Sequence, residues 1–307
     1  MTALRDNRAQ LIQVTARAYV APVRLSAEIQ PGRDGRTRLL PGNGGVSIGL
    51  HTGDVVPDAD LGDHVMPGAA LEADPSDAAV VGDVHLLSCI GNVVVDRRGS
   101  VAGVVVGKRG GLAPGFWAPT HLGIELTDVA MASLMPGDAL AVQTVGRGLE
   151  LTDWPDVDLY NCSPQFLDLL DLRVVGDYLE IAVRAVIASP CAGAGLGQDP
   201  WIGDLEVTVA DALPSDLRFG DLVAFLDIDA GASRSYRPGQ VSIGVVAHGP
   251  SLRAGHGVGV TIVLGAGDSR LRPVEDVTAN GLGGTLRAMA DTLGRRQSGA
   301  REEQEKQ

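Results

Sequence analysis

The chain has 307 residues, 45% of them hydrophobic, and a formal net charge of −13. That is enough apolar chain for one or two domains with a substantial core, which excludes global disorder. Strong acidity, with aromatic residues at only 4%, excludes a nucleic-acid binder, because phosphates are repelled and stacking platforms are few.

The 41 glycines and 17 prolines favour many tight turns over long helices. In chain order, Ile12, Val14, Ala16, Ala18 and Val20 alternate, which predicts a strand over 12–20. Further strands are expected over 46–50, 93–95, 104–106 and 139–145. Ser163 followed by Pro164 then opens a helix, as an N-cap with proline at the first helical position, and Phe166, Leu169 and Leu170 form its apolar face. Later strands are expected over 178–187, 205–209, 222–228, 241–247 and 258–264, and a second helix over 284–293. The dipeptide Gly-Asp occurs eight times, mostly just before these apolar runs, where glycine supplies the turn and aspartate caps it. Short strands at this spacing predict barrels or sandwiches.

MTALRDNRAQ at the start has no apolar signal core, and no run of apolar residues is long enough to span a bilayer. The three cysteines, Cys89, Cys162 and Cys191, show no CxxC spacing, so neither a disulfide framework nor a structural zinc site is expected. A cytoplasmic protein follows. Gly103 to Lys108 hints at a phosphate loop but is one residue short and lacks the Ser or Thr after lysine; Gly193 to Gly197 lacks the helix a dinucleotide fingerprint needs. Lys108 and Lys306 are the only lysines, so lysine chemistry in the folded body would rest on Lys108.

Histidine carries the chemical signal. Three of the six histidines lie in glycine-rich turns: Gly62-Asp63-His64, His248-Gly249 and Gly255-His256-Gly257. Glycine permits close approach of a ligand, and imidazole is both the commonest metal ligand and an acid–base group near neutral pH. Asp63 adjoins His64, and Asp204 and Glu206 alternate on one strand and so face the same side. Same-side carboxylates suit a cation or proton transfer. Asn43 and Asn161, both in turns, offer amides to a substrate carbonyl.

Several segments in order carry a family resemblance: Pro41-Gly-Asn-Gly-Gly45, Gly62-Asp-His-Val-Met-Pro-Gly68, Cys89-Ile-Gly-Asn92, Gly103 to Gly111, Asn161-Cys-Ser-Pro164, Gly193 to Gly197, Gly203-Asp204, Ser242 to His248 and Gly255 to Thr261. The series resembles domain of unknown function 4438, a family of bacterial and archaeal proteins, over roughly residues 9–265. The resemblance implies a β-rich fold with small barrel-like parts and a distinct C-terminal portion; it implies no activity. The chain departs from the family pattern in having Arg109 in place of histidine and Glu206 in place of aspartate. The stretch 90–111 also resembles the KOW motif of SH3-like barrels. Gly82-Asp-Val-His85 with Pro136-Gly-Asp-Ala-Leu-Ala-Val142 resembles acetamidase/formamidase segments, which would imply a β-rich amidohydrolase.

Together these features lead to a mainly β protein of small barrel- or sandwich-like modules with one or two short helices. A module over 1–155 and a second over 156–294 would share a cleft, with a disordered tail at 295–307. The expected function is metal-assisted hydrolysis of an amide or related C–N bond. In it His64, His248 and His256 bind a divalent metal ion or act as acid and base, with Asp63, Asp204 and Glu206 as carboxylate ligands and Asn43 and Asn161 polarising the carbonyl. The alternatives are a metal-free isomerase or lyase using the same histidines, and a non-enzymatic ligand-binding or oligomeric scaffold. The expected partners are a small-molecule ligand and further copies of the chain as a homo-oligomer, with no nucleic acid and no membrane. Convergence of the three histidines within about 8 Å separates the enzyme readings from the scaffold.

Overall fold

The computed structural model of the protein describes residues 4–23, 29–38, 45–46, 49–58, 62–74, 83–111, 120–276, 278 and 281–305. It is mainly β. The strands are β1 (Val14–Val20), β2 (Gln30–Pro31), β3 (Thr37–Arg38), β4 (Gly45–Val46), β5 (Ala69–Glu72), β6 (Val93–Val95), β7 (Val101–Arg109), β8 (His121–Leu126) and β9 (Ala139–Thr144) in the first half. The second half has β10 (Asp158–Leu159), β11 (Arg173–Val175), β12 (Tyr178–Val183), β13 (Ala185–Ala188), β14 (Leu205–Val207), β15 (Leu222–Asp229), β16 (Ser235–His248), β17 (Val258–Gly267) and β18 (Leu271–Glu275). The helices are α1 (Asp83–Leu87), α2 (Asp128–Ser133), α3 (Pro164–Leu167) and α4 (Gly283–Glu305).

Strands β1-β9-β6-β7-β8-β5 form an antiparallel sheet that closes on itself, because β1 also pairs with β5 through Tyr19 opposite Glu72 and Val20 opposite Leu71. The β6–β7 hairpin, which carries the KOW-like pattern, is part of this barrel. Alternation fills it: Ala16, Ala18 and Val20 of β1 point inward with Val94, Val105, Ile124, Leu140 and Val142. In the second half β10-β17-β16-β15-β13 form one sheet with β14 added on β17, and β11-β12-β18 form a small second one.

β7 joins the two halves. Val105 faces the barrel interior, whereas Val104 and Val106 belong to a core shared with Ile181, Ile243 and Val263 of the second half. A Cβ on Gly107 would stand 2.4 Å from the Cβ of Ala247, so glycine is what lets β7 and β16 approach. Leu286 and Ala290 of α4 cap the same core.

α3 starts as expected, with the Ser163 hydroxyl accepting from the Phe166 amide at 3.1 Å. Several elements depart from expectation. β5 and β8 were not foreseen: Ala-Ala-Leu-Glu lacks β-branched residues, and neighbouring strands rather than propensity make it a strand. α4 continues to Glu305, through a segment expected to be disordered; its residues after 294 are largely Arg, Gln, Ala and Glu, with no proline. No helix of the described residues is long and apolar enough to cross a membrane.

Candidate functional site

At one end of the junction the barrel and the second half both contribute polar side chains. β14 pairs with β17 so that Glu206 lies opposite Gly259, and β16 pairs with β17 so that His248 lies opposite the same glycine. Glu206 and His248 therefore flank Gly259 on either side. The imidazole of His248 lies over it: a Cβ at Gly259 would stand 1.9 Å from His248 Nε2. Asp204, two residues before Glu206, points the same way, and its Oδ2 lies 2.6 Å from His248 Nε2.

His64 comes from the loop that leads into β5. Its φ of 55° places a non-glycine residue in the left-handed region, where backbone strain is stored at functional sites. The loop is held by its backbone, with Gly249 N donating to Val65 O at 2.8 Å and His64 N to Pro250 O at 3.2 Å. His64 Nδ1 lies 2.9 Å from Asp63 Oδ2, and the Ser251 hydroxyl donates to the other oxygen of that carboxylate. His64 Nε2 then faces His256 Nδ1 at 3.2 Å and Glu206 Oε2 at 3.5 Å. His256, just before β17, brings Nδ1 within 2.9 Å of Glu206 Oε1, and Gly257 N donates to Glu206 Oε2 at 2.6 Å. The ring of His64 lies 5.0 Å from that of His248 and 5.2 Å from that of His256, centroid to centroid.

The electrostatics follow from burial against pairing. Burial alone raises the Glu206 carboxyl, but hydrogen bonds from His256 and His64 and the charge of His248 reverse this and hold it well below the usual range. For Asp63, burial is likewise outweighed by His64, Ser251 and Arg109, and the carboxyl stays low. Arg109, at the end of β7, feels Asp204, Asp63 and Glu206, yet burial is the larger influence and lowers its pKa. Its guanidinium bonds His121 Nδ1 at 3.3 Å and makes no ion pair within 4 Å among the described residues.

Arg234 and Asn161 hold the segment that delivers Asp204. Arg234 is fully buried, with Nη1 donating to the Asp204 carbonyl at 2.6 Å and Nη2 to that of Ile202 at 2.5 Å. Asn161 donates through Nδ2 to the carbonyls of Pro200 and Ile262 at 2.7 and 2.9 Å. Both of its amide hydrogens are thus committed to backbone, which corrects the expectation that it polarises a substrate carbonyl. Asn43 lies outside the described residues. The structure brings His64, His248, His256, Asp63, Asp204 and Glu206 together; Asp63 stands behind His64 rather than beside the other carboxylates. Sequence reasoning missed Arg109, His121 and Ser251 as members. Arg109 and His121 end and begin paired strands, a signal that needs the β7–β8 register to be seen.

A family profile described as DUF4438, domain of unknown function, N-terminal, matches residues 29–168, and one for the C-terminal domain matches residues 170–282. The crystal structure of TM1086 is similar to this chain, with a TM-score of 0.82 and 31% identity over 90% of this chain and 97% of that one. No curated protein matches.

Proposed function

The chain belongs to the DUF4438 family, and from its polar junction we propose a metal-dependent enzyme that hydrolyses an amide or related C–N bond of a small molecule. The observation that carries this reading is the setting of His248. Its Nδ1 lies 2.7 Å from the Gly249 carbonyl oxygen, which can only accept, so Nδ1 carries the proton and donates. In the neutral ring Nε2 turns its lone pair to the Asp204 carboxylate 2.6 Å away, and a cation there would take the place of the proton that a charged His248 shares with that carboxylate. His64 repeats the pattern, with Nδ1 on Asp63 and Nε2 turned to the centre. Imidazoles oriented from behind by a carbonyl or carboxylate, together with buried carboxylates, are the donor set of zinc and related divalent ions.

The cation would supply a bound water of lowered pKa and polarise the substrate carbonyl. Asp204 or Glu206, through a carboxylate oxygen not bound to the ion, would accept the proton that hydrolysis takes from water. Arg109 would hold the oxyanion, and return of that proton from the carboxyl to nitrogen would let the amine leave as the C–N bond breaks. The products are a carboxylate and an amine.

Metal analysis of the purified protein checks this reading. At least one equivalent of a divalent transition metal per chain is expected. A panel of small amides should include one whose hydrolysis stops on chelation and returns with added zinc or manganese. Protein that neither carries nor takes up such an ion removes the proposal. Activity indifferent to chelators would instead favour a metal-free isomerase or lyase.

A further inference from the structure

Resting on the metal reading above, we propose that the centre holds two divalent cations bridged by Glu206. The donor atoms do not form one set. His64, Glu206 and His256 offer atoms all within 4.8 Å of one another, and so do Asp204, Glu206 and His248, with Glu206 common to both groups. Ligands about 2.1 Å from one ion and set at tetrahedral angles lie about 3.4 Å apart. The nearest distances in the first group bracket this: 3.2 Å from His64 Nε2 to His256 Nδ1, 2.9 Å from His256 Nδ1 to Glu206 Oε1, and 3.5 Å from His64 Nε2 to Glu206 Oε2. The second group has His248 Nε2 and Asp204 Oδ2 2.6 Å apart, so an ion there would replace the proton between them and spread the pair by about 0.8 Å.

The strand register explains why there are two lobes. Glu206 stands on β14 and His248 on β16, with β17 between them, and the Gly259 position leaves room for the side chains to meet above it. His64 and His256 come from the loops that precede β5 and β17. Each lobe has three protein donors and therefore open positions, which is how catalytic rather than structural sites are built. Two ions held by one carboxylate would clamp the attacking and leaving atoms of a hydrolysis.

The decisive measurements are metal stoichiometry and electron paramagnetic resonance of the manganese-loaded, full-length protein. Wild type is expected to bind two manganese ions per chain with a spectrum of exchange-coupled pairs. Asp204→Asn should bind one ion and lose the coupling, and His256→Gln should do the same from the other lobe. The wild-type spectrum needs no variant, so a folding failure does not affect that arm. One ion per chain in wild type, with an uncoupled spectrum, overturns the two-cation centre and leaves the metal reading intact. No ion bound at all overturns both.

Discussion

Gly203→Ala is expected to destabilise the protein by more than about 4 kcal/mol, the range reserved for backbone collisions and lost cores. Gly203 has φ +63°, and a Cβ there would stand 1.5 Å from the carbonyl oxygen of Gly110. The partner is main chain at the end of β7, so no rotamer change relieves the contact. The same neighbourhood locks the site: Gly203 N donates to His85 Nε2 at 2.8 Å, and Gly110 N donates to Asp204 Oδ1 at 2.9 Å. Pushing the two segments apart withdraws Asp204 from His248. Gly176 makes the control, because its φ is +61° but nothing lies within 4 Å of its Cβ position. Gly176→Ala should cost only the left-handed strain, about 1 kcal/mol. Denaturant unfolding of the two variants measures the difference, and equal losses would show that strain alone matters at Gly203.

Lys108→Met is expected to change how stability depends on pH. Lys108 is fully buried, and its Nζ donates to the Trp201 carbonyl at 2.9 Å. Burial brings its pKa down from the ordinary 10.5 to about 7. Between those values the unfolded chain holds the proton and the folded chain does not, so stability rises with pH across the window. Below pH 7 both states are protonated and the penalty of a buried ammonium is present in full. Cys89, pushed up to about 11 by burial, acts in the opposite direction only above its ordinary value of 9.0. Between pH 7 and 9 wild type should therefore gain on Lys108→Met by roughly 1 kcal/mol per pH unit. Parallel stability profiles for the two proteins over that range would sink the claim.

Much of the site was legible as local pattern. Glycine beside His64, His248 and His256, and the alternation of Asp204 with Glu206, are short-range features, and those side chains meet. What brings them together is not local. Glu206 and His248 share Gly259 as neighbour only through the pairing of β14, β17 and β16. No spacing along the chain encodes that register. Asn161 misled for a related reason: its turn position was visible, but the carbonyls of Pro200 and Ile262 that occupy its amide are distant in sequence. In the fold, alternating apolar runs marked the long strands well. Ala-Ala-Leu-Glu of β5 was invisible because it becomes a strand through its neighbours on both sides.

The two faces of β7 bear on how this family is divided. Profiles for an N-terminal and a C-terminal domain meet between residues 168 and 170, as if two independent parts were joined there. Yet Val104 and Val106, on the first side of that line, are buried against Ile243 and Val263 on the second. Expressed separately, the fragments 1–168 and 169–307, which keep β1 and α4, would each present a bare apolar surface to water. Co-expressed, they should associate and copurify as a noncovalent pair. The line between the two profiles thus runs through a single hydrophobic core.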